Sequence, residues 1–305
     1  MKSFTGLTKR NLLVFFKDRQ SVLFSLLTSI IVLALYLLFL KGTFVDAMTG
    51  VTESYPGLST IVTDNDINMF ANLVLLTGII GSAMITVSYN CLTTVVNDRE
   101  KKIDYDILST PIKRWQIILS YFTAAALSSM ILTGVILTAG LCLIGLQGDL
   151  HLEALDILKA YGTVALGSVS ATAFFMIPVL SFKTTSASGA FFGILSAASG
   201  FVIGAYIPIS QFSGSVQTLC NLFPASHITI MIRNIFMNGI LGHIDHKLAG
   251  IDGGMFATTI RELFSFKAHL FESDFGMIHM LIYVLAALGV CLTVQTVIFA
   301  KTYKK

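Results

Sequence analysis

Few residues have the type and spacing for chemistry. His243-Ile-Asp-His246 places two imidazoles three residues apart, with Asp245 beside them. Such a pair can share a helix face and bind metal, but zinc sites draw on three or four ligands. No third ligand stands at suitable spacing and no obvious base accompanies the pair, so the segment reads as a solvated outer loop. Cys91, Cys142, Cys220 and Cys291 have no metal-type spacing either, and three of them fall inside apolar runs as small packing residues. A loop that cradles nucleotide phosphates needs G-x-x-x-x-G-K-[ST], and none of the 24 glycines is followed by lysine. No catalytic residue, metal ligand set or bound cofactor is assigned. The expectation is a chain that is not itself an enzyme.

The richest segment is the charged run Val95-Val-Asn-Asp-Arg-Glu-Lys-Lys-Ile-Asp-Tyr-Asp-Ile-Leu-Ser-Thr-Pro-Ile-Lys-Arg-Trp115. Ile103, Ile107 and Leu108 have helical spacing among charges. Ser109-Thr110-Pro111 then ends the helix, because a residue before proline is pushed from the α region. A second helix starts after Pro111. The apolar stripe ringed by charge suits a groove on a partner protein; a solvated connector whose charges only set topology fits the spacing equally well.

The elements around this segment are read from hydropathy. Of 305 residues, 54% are hydrophobic and 12% charged, with mean hydropathy +0.79, whereas soluble domains carry about 25% charged residues. Uncharged runs separate Arg19 from Lys41, Asp66 from Asp98, Arg114 from Asp149, Lys159 from Lys183, Lys183 from Arg233 and Asp274 from Lys301. Each exceeds the roughly 20 residues that a helix needs to cross about 30 Å of hydrocarbon. Six spans follow, at about 22–40, 69–95, 116–145, 158–180, 187–207 and 277–299. Pro208, Gly214 and Pro224 break the rest of the fifth run into a shallow helical segment that does not cross. The fold class expected is an all-α integral membrane protein with one domain, 1–305. It comprises an interfacial helix (1–21), spans one to five (22–207), an outer segment (208–276), and a sixth span with a tail (277–305).

An even number of spans puts both termini on one side. Together with the 96–115 and 181–186 loops, that side holds 14 of the 20 basic residues, and the other holds 12 of the 17 acidic ones. Positive loops stay cytoplasmic, so both termini are expected inside. The interruption by Lys17, Asp18 and Arg19 predicts no cleavable signal peptide. Thr8–Gln20 reads as an amphipathic helix with Leu12, Leu13, Phe15 and Phe16 against Lys9, Arg10, Lys17 and Arg19. It either lies among lipid headgroups or caps the first span.

The run Asp98-Arg99-Glu100-Lys101, followed by Ile107-Leu108-Ser109-Thr110-Pro111-Ile112-Lys113-Arg114 and Ile117-Ile118, closely resembles the cytoplasmic loop of type-2 ABC exporter permeases. There a D/E-R-E-x-G motif leads into L-x-x-x-P-x-x-R; this chain has Lys102 where the family often has Gly. Leu222-Phe223-Pro224-Ala225-Ser226-His227, with Arg233 and Gly239 downstream, is similar to the family's N-P-x-x-Y/H…R…G segment, with Phe223 for the usual Asn. Residues from about 241 to 275 have no counterpart in it.

The resemblance implies that the loop is a coupling helix docking on an ATP-binding cassette subunit, which holds ATP and Mg. Asp98, Arg99, Glu100, Asp104, Ile107, Leu108, Thr110, Pro111 and Arg114 are its candidate contacts. It also implies a plasma-membrane assembly of two permeases, a second copy or a sister chain, with the first, second and fifth spans bounding the path. Asn72, Thr77, Ser82, Tyr89 and Asn90 are candidate path residues, although uncharged polar groups in a membrane more commonly bond neighbouring helices; Phe212, Phe223 and Pro224 are a candidate outer gate. Membrane lipid is the other expected partner, and nucleic acid is not one.

In the fifth span Gly189, Gly193 and Ala197 form one small-residue stripe, and Ser196, Gly200 and Gly204 another. Such stripes let helices approach closely, within the subunit or across a dimer, so Gly200→Leu is expected to disrupt assembly. The function read is export of an amphipathic drug, antimicrobial peptide or lipid-like molecule. An ion-coupled carrier is the alternative; the runs lack the Asp, Glu, Lys or Arg that such carriers place in the membrane.

Overall fold

The computed structural model describes residues 2–54, 61–248 and 252–302. The tail residues Lys304 and Lys305 lie outside the described residues. The chain is all-α apart from one short hairpin. In order, the elements are α1 (Lys2–Lys17), α2 (Arg19–Leu35), α3 (Lys41–Glu53), α4 (Asp64–Cys91), α5 (Thr93–Glu100), α6 (Ile103–Ser109) and α7 (Arg114–Gly145). Then come α8 (Ala154–Val179), α9 (Thr185–Val202), α10 (Gly214–Asn221), α11 (Pro224–Leu248), α12 (Met255–Leu263), strands β1 (Ala268–Leu270) and β2 (Ser273–Phe275), and α13 (Met277–Thr302).

Among the described residues six helices are long and apolar enough to cross a membrane: Arg19–Glu53, Asp64–Glu100, Arg114–Gly145, Ala154–Val179, Thr185–Val202 and Met277–Lys301. The second is the axis of the bundle, with 94% of its most apolar stretch buried, against 17% for the fifth and the sixth. Around α4 pack α2, α7, α8, α9 and α11. Serines knit the middle of the bundle: Ser88 Oγ lies 2.8 Å from Ser129 Oγ, and Thr133 Oγ1 2.9 Å from Ser168 Oγ. Hydroxyl pairs of this kind join helices where lipid offers no hydrogen bond.

Four boundaries differ from expectation. The first span does not stop near residue 40. A π turn at Tyr36–Leu40 carries it into α3, because Phe44 and Met48 are buried in the core and repay the continuation. The N-terminal helix stops at Lys17, since the Asp18 carboxylate accepts from Gln20 N and Ser21 N and caps α2 instead. Pro224 begins a 25-residue helix, the first-turn position where a missing N–H costs nothing. The His243–His246 segment is the last part of that helix, not a solvated loop: Ile244 and Leu248 bury one face of it.

The two small-residue stripes of α9 separate. A Cβ at Gly189 or Gly193 would meet nothing within 4 Å, whereas one at Gly200 would lie 2.3 Å from the Tyr206 ring. Gly204, at φ +68°, turns the chain so that Tyr206 folds back on Gly200. Within the subunit, then, only the second stripe is used.

Candidate functional site: the α5–α6 junction

The charged loop resolves into two helices and a left-handed joint. Thr93–Glu100 continues α4 after a one-residue break, and Lys102 takes φ 60°, ψ 17° before α6 starts. That conformation is free for glycine and costs other residues about 1–2 kcal/mol, which explains why glycine suits this position. At the far end Thr110 is extended (φ −74°, ψ 156°) ahead of Pro111, and α7 begins at Arg114. The proline stop falls where the sequence put it.

The three charged residues before the joint each bind a different element. Asp98 is 3% exposed; its Oδ1 accepts from Arg10 Nη2 at 2.9 Å, and its Oδ2 accepts from Arg10 Nη1 and from Tyr121 Oη at 2.6 Å. One carboxylate thus joins α1, α5 and α7. Hydrogen bonding to Asp98 raises the Arg10 guanidinium above its ordinary value, against the opposing effect of burial. Arg99 Nη1 donates to the carbonyls of Leu180 (2.7 Å) and Phe182 (2.8 Å), closing the open C-terminus of α8. Glu100 Oε2 accepts from Thr185 N at 3.0 Å and Thr185 Oγ1 at 2.5 Å, holding the first turn of α9.

Asp98 is buried and Arg99 half-buried, whereas Glu100 reaches Thr185 at the exposed surface; all three bond within the bundle. The apolar stripe of α6 is half-buried: Ile107 and Leu108 pack against the core beside Ile117, Tyr121 and Phe299. With Ile117 and Tyr121 of α7 and Phe299 of α13 the stripe lines a small cleft in its own bundle. The surface that remains open carries Tyr105, 66% exposed, with Asp106, Ser109, Thr110 and Pro111 also exposed. Asp104 and Arg114 are half-buried. Arg10 and Tyr121 carry no motif signal, and only the burial of Asp98 brings them in. Tyr105 lies within the motif, but its type and spacing give no reason to select it.

The polar residues of α4 are enclosed. Tyr89 Oη is 2.8 Å from Ser188 Oγ, and Asn90 Nδ2 donates to Ser21 O (2.8 Å) and Ser25 Oγ (2.6 Å). Thr77 Oγ1 bonds back to Val74 O (2.7 Å), and Ser82 is fully buried. Asn72 donates to Gln147 Oε1 at 2.9 Å and borders an apolar groove of about 480 Å³ between α2, α4 and α7. A second apolar groove, about 740 Å³, runs between α2 and α9 and is lined by Phe24, Leu27, Phe192, Gly193, Phe201 and Tyr206. Tyr89 stands behind that wall, stacked on Phe192 at 5.7 Å.

The outer segment is held by α11. Arg233, 1% exposed, donates to Phe264 O (2.6 Å) and Gly204 O (3.1 Å), and Asn234 Nδ2 donates to Phe266 O (2.8 Å). Phe223 packs on Phe174 with centroids 5.3 Å apart, Pro224 is buried, and Phe212 is half-buried at the entry to α10. The end of α9, the start of α11 and the α12–β1 turn therefore form one braced unit.

Residues 45–298 match the family described as ABC-2 family transporter protein. No curated protein matches the chain.

Proposed function

The chain belongs to the ABC-2 family of transporter proteins, and from that membership we propose that it is the membrane-spanning permease of an ATP-driven exporter. ATP and Mg²⁺ sit on a separate ATP-binding cassette subunit, which docks on the open face of α6. Both termini and α6 lie in the cytoplasm, and the α11–α12 segment lies outside the plasma membrane.

The observation that supports this reading is the wiring of the α5–α6 junction. A push on Tyr105, Asp106 or Pro111 moves a rigid joint whose neighbours Asp98, Arg99 and Glu100 hold α1, α7, α8 and α9 at once. Force from one docked partner thereby reaches four elements of the bundle. The translocation path runs along the α2–α9 groove, whose open Gly189–Gly193 face pairs with a second permease, a copy or a sister chain. An amphipathic substrate fits its lining of aromatic and aliphatic side chains, with Thr28 and Ser196 as sparse polar groups.

A photo-crosslinking residue at Tyr105, in cells that co-express a candidate ATPase, is expected to capture that ATPase. Capture of lipid or nothing, across ATP-free and ATP-trapped states, defeats the coupling role. Labelling of a cysteine at Lys101 by an impermeant reagent in intact cells defeats the orientation.

A further inference from the structure

At the end of the bundle opposite α6, Asp66, His151 and His243 converge so that one ligand atom from each lies within 4.8 Å of the others. They come from three elements: the first turn of α4, the α7–α8 loop and the last turns of α11. We propose that these three side chains form a binding site for a divalent transition-metal cation of borderline softness, Zn²⁺ foremost. It would pin the α7–α8 loop to α4 and α11.

The backbone is arranged to deliver these groups. His151 adopts φ 50° and donates its N–H to Asp149 Oδ1 at 3.0 Å. Its carbonyl oxygen sits only 1.8 Å from where a Cβ on residue 239 would lie. Glycine at 239 is therefore what lets the loop lie flat on α11. Residue 243 is one turn farther along the same face, so the close approach at Gly239 brings the His151 and His243 rings together, 3.9 Å between centroids. Strained backbone at a convergent cluster is a recognised mark of a functional site.

The carboxylate is prepared in the same way. Asp66 is 4% exposed, and its Oδ2 accepts from Thr63 N (3.0 Å), Thr63 Oγ1 (2.8 Å) and Lys247 Nζ (2.8 Å). Its Oδ1 is turned to His243 Nε2 at 3.8 Å. One oxygen is thus fixed by outer hydrogen bonds while the other faces the imidazoles, the division of labour seen in metal-bound carboxylates. Asp149 Oδ2 lies 3.9 Å from His151 Nδ1, close enough to add negative charge beside that imidazole.

Two imidazoles and a carboxylate are a common zinc ligand set, with water completing a tetrahedron. The rings are stacked, 19° from parallel, so ligation requires them to turn until both nitrogens face a shared point. Magnesium and calcium prefer all-oxygen shells, so imidazole donors discriminate against them. Lys247 is the opposing charge, and it sets the affinity below that of a closed structural site.

The site is independent of the transport reading, because its test measures metal alone. The intact protein in lipid nanodiscs is titrated with Zn²⁺ against a chelating dye, and with Co²⁺ by visible absorption. Expected are one ion per chain and Co²⁺ bands of imidazole ligation. His151→Ala and His243→Ala should each weaken Zn²⁺ by more than about a hundredfold, beyond the roughly 10–100-fold usual for an outer partner such as Asp149→Asn. His246→Ala should leave binding unchanged, and Lys247→Gln should tighten it by about tenfold. Variants are scored only if they keep the wild-type elution volume. Zn²⁺ binding equal in wild type, H151A and H243A, Ca²⁺ competing at equal concentration, or no Co²⁺ bands in the unaltered protein would each overturn the assignment.

Discussion

Breaking the Asp98 junction gives the sharpest test of how the bundle is held. The perturbation is Asp98→Asn, Arg10→Ala and the double variant. Asp98 is 3% exposed and receives two guanidinium N–H groups and the Tyr121 hydroxyl. Removing one member of a buried ion pair costs about 3–5 kcal/mol. The Arg10 side chain is 33% exposed, so solvent screens some of this. A loss of about 2–3 kcal/mol is expected for Asp98→Asn. It should be somewhat less for Arg10→Ala, which leaves Tyr121 in place. Because the two residues touch, the double variant should lose less than the sum, with a coupling energy of about 1.5–2 kcal/mol. The assay is reversible unfolding of the purified permease in mixed micelles. On the transport side, the Arg10→Ala assembly should keep basal ATPase but lose substrate-stimulated hydrolysis. A coupling energy below about 0.5 kcal/mol would show that α1 is not anchored through Asp98. Normal stimulation would show that α1 carries no force.

Other substitutions probe single elements. Lys102→Gly relieves the left-handed joint and should be neutral to about 1 kcal/mol stabilising, whereas Lys102→Val should cost about 1–2 kcal/mol; equal melting curves for the two would discount strain there. Gly193→Leu meets open space within the subunit, so it should leave monomer stability intact yet abolish assembly and transport, while Gly200→Leu strikes Tyr206 and should lower stability itself; native gels and melts separate the two. Arg233→Met strands two carbonyls and should cost about 2–4 kcal/mol, read as faster proteolysis of the α12–β1 turn. Gly239→Ala collides with the His151 carbonyl and should free the α7–α8 loop, detected as new hydrogen exchange at 148–153.

Much of the fold was legible because lipid imposes length and charge rules that survive in composition. The six spans and the proline stop at Thr110–Pro111 needed only hydropathy and local sterics. The ends of the first span were not legible: Lys41 looks like a boundary, and only the burial of Phe44 and Met48 against distant helices shows that the helix continues. The wiring was hidden for a similar reason. Arg10 and Asp98 are 88 residues apart, and a lone arginine on an amphipathic helix reads equally well as a headgroup contact. The charged triplet was visible as a motif, but the bonds it makes within the bundle were not. His151 gave no signal, since its role depends on a carbonyl meeting a glycine on another helix. Lys102 stands where the resembled family often has glycine, and the physical reason, a left-handed joint at φ 60°, emerges from the backbone alone.

The first crossing, unbroken from Arg19 to Glu53 over 35 residues, has a mechanical corollary. At 1.5 Å per residue it is a rod of about 50 Å, longer than the hydrocarbon is thick. Were it to pivot at the aspartate-capped break beside α1, a tilt of roughly 5° at its base would sweep its tip by about 4 Å. Small angular strokes beneath the bilayer would thereby be amplified into displacements on the far side large enough to separate side chains that had been in contact. The amplification needs no flexible linker along the way.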